Sequence, residues 1–240
     1  MIFNLFKSKP TLKELIPNGF VDIHSHILPG IDDGAKNVKE SIELISQMEK
    51  IGFSKIIGTP HTYPGLYENT RETIKKSYNS VISNLKNDTE IEYASEYMLN
   101  YSLIKKAEKK DLLTLKDNYV LIEMSLMFMD LSIYEIIFEL QSHGYKIILA
   151  HPERYGFLIE NFKEYYKLKK HGCYFQLNIL SLVNYYGKKI TNISNRLLKE
   201  GLIDFLGSDI HNIHQIEYFN QKVCVNELKI LSKIFNKNYF

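Results

Sequence analysis

Short apolar runs with strand character alternate with longer amphipathic segments along nearly the whole chain, which has 240 residues. This alternation predicts right-handed βαβ crossovers and a parallel sheet. About seven such units favour an α/β fold, a distorted TIM-like (β/α)7 barrel, over an open sheet. The predicted strands are Phe20–Ile23, Lys55–Gly58, Ile91–Ala94, Tyr119–Ile122, Lys146–Ala150, Cys173–Leu177 and Ile203–Leu206.

The helices between these strands are predicted from apolar residues that recur every three or four positions. The clearest case carries Ile42, Ile45 and Met48 on one face, and Gly52 supplies its stop. The predicted helices are Thr11–Leu15, Val38–Ile51, Arg71–Leu85, Tyr101–Lys110, Tyr134–His143, Phe162–His171, Ile193–Glu200 and Val223–Phe235.

Length and composition limit the classes of protein to which this chain can belong. We expect a single catalytic domain over residues 1–240, with residues 1–19 as a lead-in segment. The formal net charge is only +2 and the lysines are dispersed, so nucleic acid is not an expected partner. Two cysteines, Cys173 and Cys224, are too few for a disulfide framework. We expect both in the core and the protein in the reducing cytoplasm.

The first residues, MIFNLFKSKP, contain four large apolar side chains followed by lysines and Pro10. This order does not match a secretory signal, and no apolar run reaches the roughly 18 residues that a membrane span needs. We expect the segment to pack on its own domain, and docking on a partner or a membrane surface is the alternative.

Histidines and carboxylates stand where the predicted strands end. In a parallel barrel these ends meet at one rim, where active sites lie. Burying so many ionisable groups together is costly unless they are paired or bound to cations, so the pattern predicts a metal centre. The candidate ligands are His24, His26 and Asp33 after the first strand, His61, Glu96, Glu123 and His151 after the next four, and Asp209 and His211 after the seventh.

Some polar residues near these ends are not predicted as ligands. His143 and His171 each precede a glycine at the end of a predicted helix, where an imidazole interacts favourably with the last carbonyls. His214 is predicted to lie at the surface or behind a ligand, and a role in the site is the alternative. Asn178 ends the sixth strand, Asp32 is expected to support the first loop or a ligand, and neither is expected to bind an ion.

Histidine and carboxylate ligands without thiolate suit Mn²⁺, Fe or Zn²⁺ better than Ca²⁺. The candidates exceed what one ion needs, which predicts two or three ions with a bridging carboxylate. Closely spaced cations that clamp a phosphoryl oxygen are typical of phosphoester hydrolysis. Arg154 would hold a phosphate oxygen with its guanidinium fork, and its alternative role is a structural ion pair with a neighbour such as Glu153.

Six short motifs occur in order along the chain: HSHILPGIDDG, TPH, the Glu of ASEY, the Glu of LIEMS, HPER and SDIH. In this order they resemble the polymerase and histidinol phosphatase (PHP) superfamily. More narrowly, they are similar to the bacterial manganese-dependent tyrosine phosphatases of the CpsB, CapB and YwqE type, which act with capsule or exopolysaccharide tyrosine kinases. Thr62 and Tyr63 stand where many members are expected to carry a second histidine, which leaves the substrate preference open.

The resemblance implies three ions, with Mn²⁺ as the expected metal, and attack on phosphotyrosine by a metal-bound hydroxide. It implies one ion at His24, His26, Glu96 and Asp209, a second at Glu96, Glu123 and His151, and a third at Asp33, His61 and His211. It also implies that Arg154 binds phosphate and that a phosphotyrosyl kinase is the partner. His61 or His211 is the candidate proton donor to the leaving group.

Three other interpretations stay open at this point. The chain could be a small-molecule phosphatase such as histidinol phosphatase, a phosphodiesterase or nuclease of the same superfamily, or a silent metal-binding or kinase-docking module. A cysteine-dependent phosphatase is excluded, because neither Cys173 nor Cys224 is followed six residues later by arginine. Oligomerisation is possible, and stable membrane insertion is not expected.

Overall fold

The computed structural model describes residues 9–86, 88–238 and 240. These residues form parallel strands joined by helices. The strands are β1 (Phe20–Ser25), β2 (Phe53–Gly58), β3 (His61–Thr62), β4 (Glu90–Tyr93), β5 (Glu96–Met98), β6 (Tyr119–Glu123), β7 (Lys146–Ala150), β8 (Tyr174–Asn178) and β9 (Phe205–Gly207). The helices are α1 (Leu12–Leu15), α2 (Val38–Ile51), α3 (Arg71–Ile82), α4 (Ser102–Glu108), α5 (Ile133–Ser142), α6 (Gly156–Glu160), α7 (Lys163–Lys170), α8 (Lys188–Lys199), α9 (Ile213–Glu217) and α10 (Leu228–Phe235).

The strands pair in two sheets, in the orders β1-β2-β4 and β3-β5-β6-β7-β8-β9, and every pair within them is parallel. The predicted α/β fold with parallel strands is confirmed. The predicted second and third strands are each continued by a short separate strand, β3 and β5, in the other sheet. Pro60 lies at the first break, where it has no backbone N–H to donate to a ladder.

The last strand lies beside the first. The backbone nitrogen of Asp209 donates to the carbonyl oxygen of His24 at 2.8 Å, and Ser25 forms a parallel bridge with Ile210. Buried Asp22 accepts a hydrogen bond from the backbone nitrogen of Ser208 at 2.8 Å. These contacts bring the carboxyl ends of β1 and β9 together at the same rim.

Helix α2 shows how local sequence sets the element bounds. The side chain of Asn37 accepts from the backbone nitrogen of Glu40 at the N-terminus, and Gly52 ends the helix with φ of 124°. Leu44, Ile45 and Met48 are buried on its inner face. The predicted bounds of this helix, Val38–Ile51, are those observed.

The predicted last helix, Val223–Phe235, starts too early. The structure begins it at Leu228, because Val223 and Cys224 donate backbone hydrogen bonds to Pro10 and Leu182 in an extended segment. In that segment Cys224 is exposed between buried neighbours, so its predicted core position is wrong, whereas Cys173 is buried as predicted.

The lead-in is described from residue 9 onward. Thr11 caps α1 in a capping box with Glu14, and Leu12 donates its backbone N–H to the carbonyl oxygen of Gln221 at 2.9 Å. This part packs on the domain, whereas the apolar residues of MIFNLF lie outside the described residues. Among the described residues, each helix is too short or too polar to cross a membrane.

Candidate metal centre

The nine predicted ligands lie at one rim of the fold. Each side chain offers an atom to at least one group whose ligand atoms all lie within 4.8 Å of one another. These groups are His24, His26 and Glu96; His24, His151 and Asp209; His61, Glu96 and Glu123; and His26, Asp33, His61 and His211. The rim therefore offers ligand sets for more than one metal ion.

Two imidazoles and two carboxylates form the buried centre of this cluster. The Nε2 atoms of His24 and His26 lie 3.3 Å apart, since side chains two positions apart on an extended strand face the same way. Oε2 of Glu96 is 3.2 Å from Nε2 of His24 and 3.4 Å from Nε2 of His26. Oδ1 of Asp209 lies 3.4 Å from each of the same two atoms. One cation could accept all four ligands.

His61 and His151 approach Glu96 from opposite sides. Nδ1 of His61 lies 3.0 Å from Oε2 of Glu96 and 2.8 Å from Oε1 of Glu123. Nε2 of His151 lies 3.1 Å from Oε1 of Glu96. Glu96 thus presents one oxygen to His61 and the other to His151, which is the geometry of a bridging carboxylate.

The third group is more exposed. Nε2 of His61 and Nε2 of His211 each lie 3.5 Å from Oδ1 of Asp33. The ring of His26 stacks on that of His211 at 3.8 Å. The structure groups Glu123 with His61 rather than with His151, so the observed neighbours differ from the ion-by-ion division that the resemblance implies.

Hydrogen bonds on the far side of the rings aim their Nε2 atoms at the centre. Nδ1 of His26 donates to Oδ2 of Asp32 at 2.7 Å, and Nδ1 of His24 donates to Oε1 of Gln176 at 2.7 Å. A carboxylate or amide oxygen in this position orients a metal-binding imidazole and leaves its other nitrogen bare for the cation. Asp32 therefore has the supporting role predicted from the sequence.

Gln176 is a site residue that the sequence analysis missed, and Asn178, which is not a predicted ligand, holds it in place. The amide nitrogen of Gln176 donates to Oδ1 of Asn178 at 3.0 Å, and Nδ2 of Asn178 donates to Oδ2 of Asp209 at 2.6 Å. This directional chain turns the oxygen of Gln176 toward His24. Two amides in the buried strand β8 were the available signal, because a polar side chain buried in a strand needs a partner.

Backbone geometry at the rim is constrained. His151 and Asp209 adopt left-handed φ angles of 36° and 52°, which non-glycine residues rarely take. A Cβ on Gly34 would lie 2.1 Å from the carbonyl oxygen of His26, so the loop after β1 can fold onto that histidine only with glycine here. Both features occur next to the candidate ligands.

The charges in the cluster shift the pKa values of its members. Burial alone would lower the pKa of His61, but the charges of Glu96 and Glu123 outweigh it and raise the pKa to about 10. The same balance of burial against carboxylates raises the pKa values of His24 and His26. Without metal, the ring of His61 therefore holds a proton at neutral pH, and the rings of His24 and His26 keep theirs to a higher pH than an ordinary histidine does.

Arg154 lies at the edge of the cluster. Its Nη1 donates to Oδ2 of Asp209 at 3.0 Å, and its guanidinium lies over the ring of Tyr186, 4.6 Å from the ring centroid. Glu153, the alternative ion-pair partner, accepts instead from the hydroxyl of Ser181 at 2.6 Å. A guanidinium has five N–H donors, so Arg154 can still bind an anion while holding Asp209.

The donor atoms of this cluster fit metal ions. Nδ1 of His61 and Oε2 of Glu96 are buried and 3.0 Å apart, yet neither makes a hydrogen bond within the described part of the chain. Buried polar atoms in native proteins almost always have partners. Here imidazole nitrogens and carboxylate oxygens converge without such partners. This donor set suits a transition metal ion of intermediate softness.

Comparison with known proteins identifies the family. A family model described as capsular polysaccharide synthesis, CpsB/CapC, matches residues 20–236. The chain belongs to the CpsB/CapC family. Within it, the tyrosine-protein phosphatase YwqE of Bacillus subtilis is 32% identical over 219 residues, which cover 90% of this chain and 85% of YwqE. The tyrosine-protein phosphatase CpsB of Streptococcus pneumoniae is 31% identical over 202 residues, covering 80% of this chain and 83% of that protein.

Solved structures agree with the CpsB/CapC assignment. A structure from work on YwqE of B. subtilis and CpsB of S. pneumoniae, described as unique metal-dependent tyrosine phosphatases, superposes with a TM-score of 0.74 at 29% identity. It covers 91% of this chain and 87% of that chain. Histidinol phosphate phosphatase of Lactococcus lactis superposes with a TM-score of 0.55 at 12% identity, which shows a shared fold alone.

The adjacent residues Asp32 and Asp33 should have different roles, which mutation can separate. The Asp33 side chain is 53% exposed and faces two histidines, so Asp33→Ala should lower the metal content by about one ion per chain with little change in unfolding. The Asp32 side chain is 0% exposed and holds His26, so Asp32→Ala should lower the free energy of unfolding of the metal-free protein by about 2–3 kcal/mol. Metal analysis and denaturant titration measure these effects, and equal behaviour of the two variants would contradict the assignment.

Metal binding should depend on pH through the histidines. Because their folded-state pKa values are raised, a cation must displace protons from His24, His26 and His61. We therefore expect affinity to keep rising from pH 6 to pH 8, beyond the pKa of about 6.5 of an ordinary histidine. Calorimetric titrations of metal into the metal-free protein, in two buffers of different ionisation enthalpy, count the released protons. A titration that releases none would contradict the charge balance described here.

Proposed function

We propose that this chain is a metal-dependent protein-tyrosine phosphatase. The observation that carries the proposal is the cluster of nine histidine and carboxylate ligands at the strand ends, in a member of the CpsB/CapC family. Its substrate would be a phosphotyrosyl protein, for which our candidate is a capsule or exopolysaccharide tyrosine kinase. We place the reaction in the cytoplasm, where such a phosphorylated segment would be reached.

The proposed ligands divide among three ions. His24, His26, Glu96 and Asp209 would hold the first, and Glu96, Glu123 and His151 the second. Asp33, His61 and His211 would hold the third, although the ring of His61 also lies beside Glu123. Mn²⁺ is the proposed metal on the resemblance to manganese-dependent phosphatases, and the mixed imidazole and carboxylate donors would also accept Fe or Zn²⁺. When bound, closely spaced cations draw charge from phosphoryl oxygens and acidify the attacking water.

The chain's own residues bind and orient the phosphate. Arg154 is held by Asp209 and Tyr186 at the edge of the ligand cluster, and its remaining N–H groups can hold a phosphoryl oxygen. Such donors stabilise the charge of the transition state because they are already in place before the reaction. Tyrosinate leaves with a conjugate-acid pKa of about 10, so a proton donor assists its departure. His61 and His211, both partly exposed, are our candidates for that donor.

Substrate comparison tests the proposed function. We expect the Mn²⁺-loaded protein to hydrolyse a phosphotyrosyl peptide faster than histidinol phosphate or a dinucleotide, and the metal-free protein to be inactive. The measurement is phosphate release, or nucleotide release for the dinucleotide, at matched substrate concentrations. Brisk histidinol phosphate hydrolysis with an inert peptide would assign a small-molecule phosphatase instead. Full activity without metal would contradict the mechanism.

Replacement of Arg154 tests its contact with phosphate. We expect Arg154→Ala to lower kcat/KM for a phosphotyrosyl substrate about 100-fold. Other enzymes lose activity by a factor of this size when a hydrogen-bond donor to the transition state is removed. Metal content should stay nearly unchanged, since Arg154 donates to a ligand and is not one itself.

Arg196→Ala is the matched control, because Arg196 also stacks on a ring, Phe162, but does not belong to the cluster. The control should keep full activity. If Arg154→Ala loses its metal or its fold in parallel with its activity, Arg154 has the structural role that the sequence left open.

A further inference from the structure

An apolar cavity of about 230 Å³ lies beside the candidate metal centre. Tyr63, Met98, Leu99, Met124 and Phe128 form most of its apolar wall. Its volume is below the range of roughly 300–1,000 Å³ that is typical of small-molecule sites. The cavity is therefore the size for a single side chain rather than for a whole ligand.

The cavity continues the metal rim along the strands. Met124 follows the ligand Glu123 directly, and Met98 lies two residues beyond the ligand Glu96 on β5. Side chains two positions apart on a strand face the same side and are separated by about 6.6 Å. If the phosphate of a substrate lies at the rim, the cavity therefore lies about two strand residues, or roughly 6.6 Å, further along.

Two polar side chains of the cavity lining, Asn100 and Asp130, already have partners. Asn100 donates from Nδ2 to the carbonyl oxygen of Met98 at 2.7 Å and accepts from the backbone nitrogen of Ser102 at 2.8 Å. Oδ1 of Asp130 accepts from the backbone nitrogen of Ser132 at 2.9 Å and from its hydroxyl at 2.6 Å. Most of the named wall that an occupant would meet is therefore apolar.

The loop that carries Phe128 extends this apolar surface into solvent. Met127 and Leu131 are each 87% exposed, and Phe128 is 65% exposed. Several large apolar side chains exposed together mark an interaction surface, whereas single ones are ordinary. Met127 and Leu131 lie outside the cavity lining, so an occupant that also contacts them has to extend beyond the cavity, as a polypeptide does.

We propose that this cavity is a substrate subsite, which binds an apolar side chain two residues from the phosphotyrosine. The proposal rests on the proposed phosphatase function and narrows its substrate class to extended phosphoprotein segments with an apolar residue at that position. In an extended peptide, alternate side chains point the same way, so the phosphotyrosine and this residue enter the rim and the cavity together. Methionine side chains suit such a site, since they adapt to aliphatic and aromatic occupants alike.

The test compares three phosphotyrosyl peptides that carry Leu two residues before, Leu two residues after, or Ser at both positions. Burying a Leu side chain predicts about tenfold higher kcat/KM for one Leu peptide than for the Ser peptide. The same peptides with a non-hydrolysable phosphonate in place of the phosphate should show the same ratio in Kd. Binding then reports on the subsite independently of catalysis.

Phe128→Ser should bring the ratio of kcat/KM between the preferred Leu peptide and the Ser peptide close to one. Phe138→Ser is the matched control, because Phe138 is also 65% exposed but lies on α5 outside the cavity lining. The control should keep the tenfold ratio. Both replaced side chains are mostly in solvent, so both variants should fold.

The outcomes separate the two proposals. Equal kcat/KM and equal Kd for all three peptides, or equal loss of the ratio in both variants, would overturn the subsite and leave the phosphatase function standing. No hydrolysis of any phosphotyrosyl peptide by the metal-loaded protein would overturn the phosphatase function, and the subsite with it.

Discussion

Glu96 carries the interaction on which the rim depends. Its carboxylate has no exposed surface, and its two oxygens lie within 3.4 Å of nitrogens from His24, His26, His61 and His151. An isolated carboxylate buried this deeply would take up a proton instead of staying charged. Here burial would raise its pKa, but His24 and His61 outweigh burial and hold the pKa well below its usual range. The charge of Glu96 and the protons of its neighbours therefore stabilise each other until a cation replaces those protons.

The position of Glu96 follows from the break between β4 and β5. As the first residue of β5 it pairs with His61 of β3 and with Leu121 of β6, so three chain segments set its depth at the rim. A similar break separates β2 from β3, and there Pro60 has no N–H to donate to a continuous ladder. The short strands β3 and β5 bring their ligands to the same rim as the ends of β1, β7 and β9.

Much of this arrangement could be predicted from the sequence, because it depends only on the order of strands and ligand residues along the chain. Strand ends of a parallel barrel meet at one rim whatever the details of packing, so His24, His151 and Asp209 could be placed there without coordinates. Strands of two or three residues, such as β3 and β5, have no periodicity to detect. The contact of Gln176 with His24 depends on how two distant strands lie side by side, which a single sequence does not reveal. Which ligand binds which ion likewise depends on distances that differ by tenths of an ångström, and a single sequence does not reveal these distances.

The bond between Arg154 and Asp209 has a consequence for anion binding. Asp209 engages one guanidinium nitrogen, and the ring of Tyr186 lies under the guanidinium plane, so the side chain is ordered before any anion arrives. Ordering a long side chain at the moment of binding costs conformational entropy, which lowers affinity. For Arg154 that entropy is lost on folding instead. An anion that binds its remaining N–H groups therefore keeps more of the interaction energy.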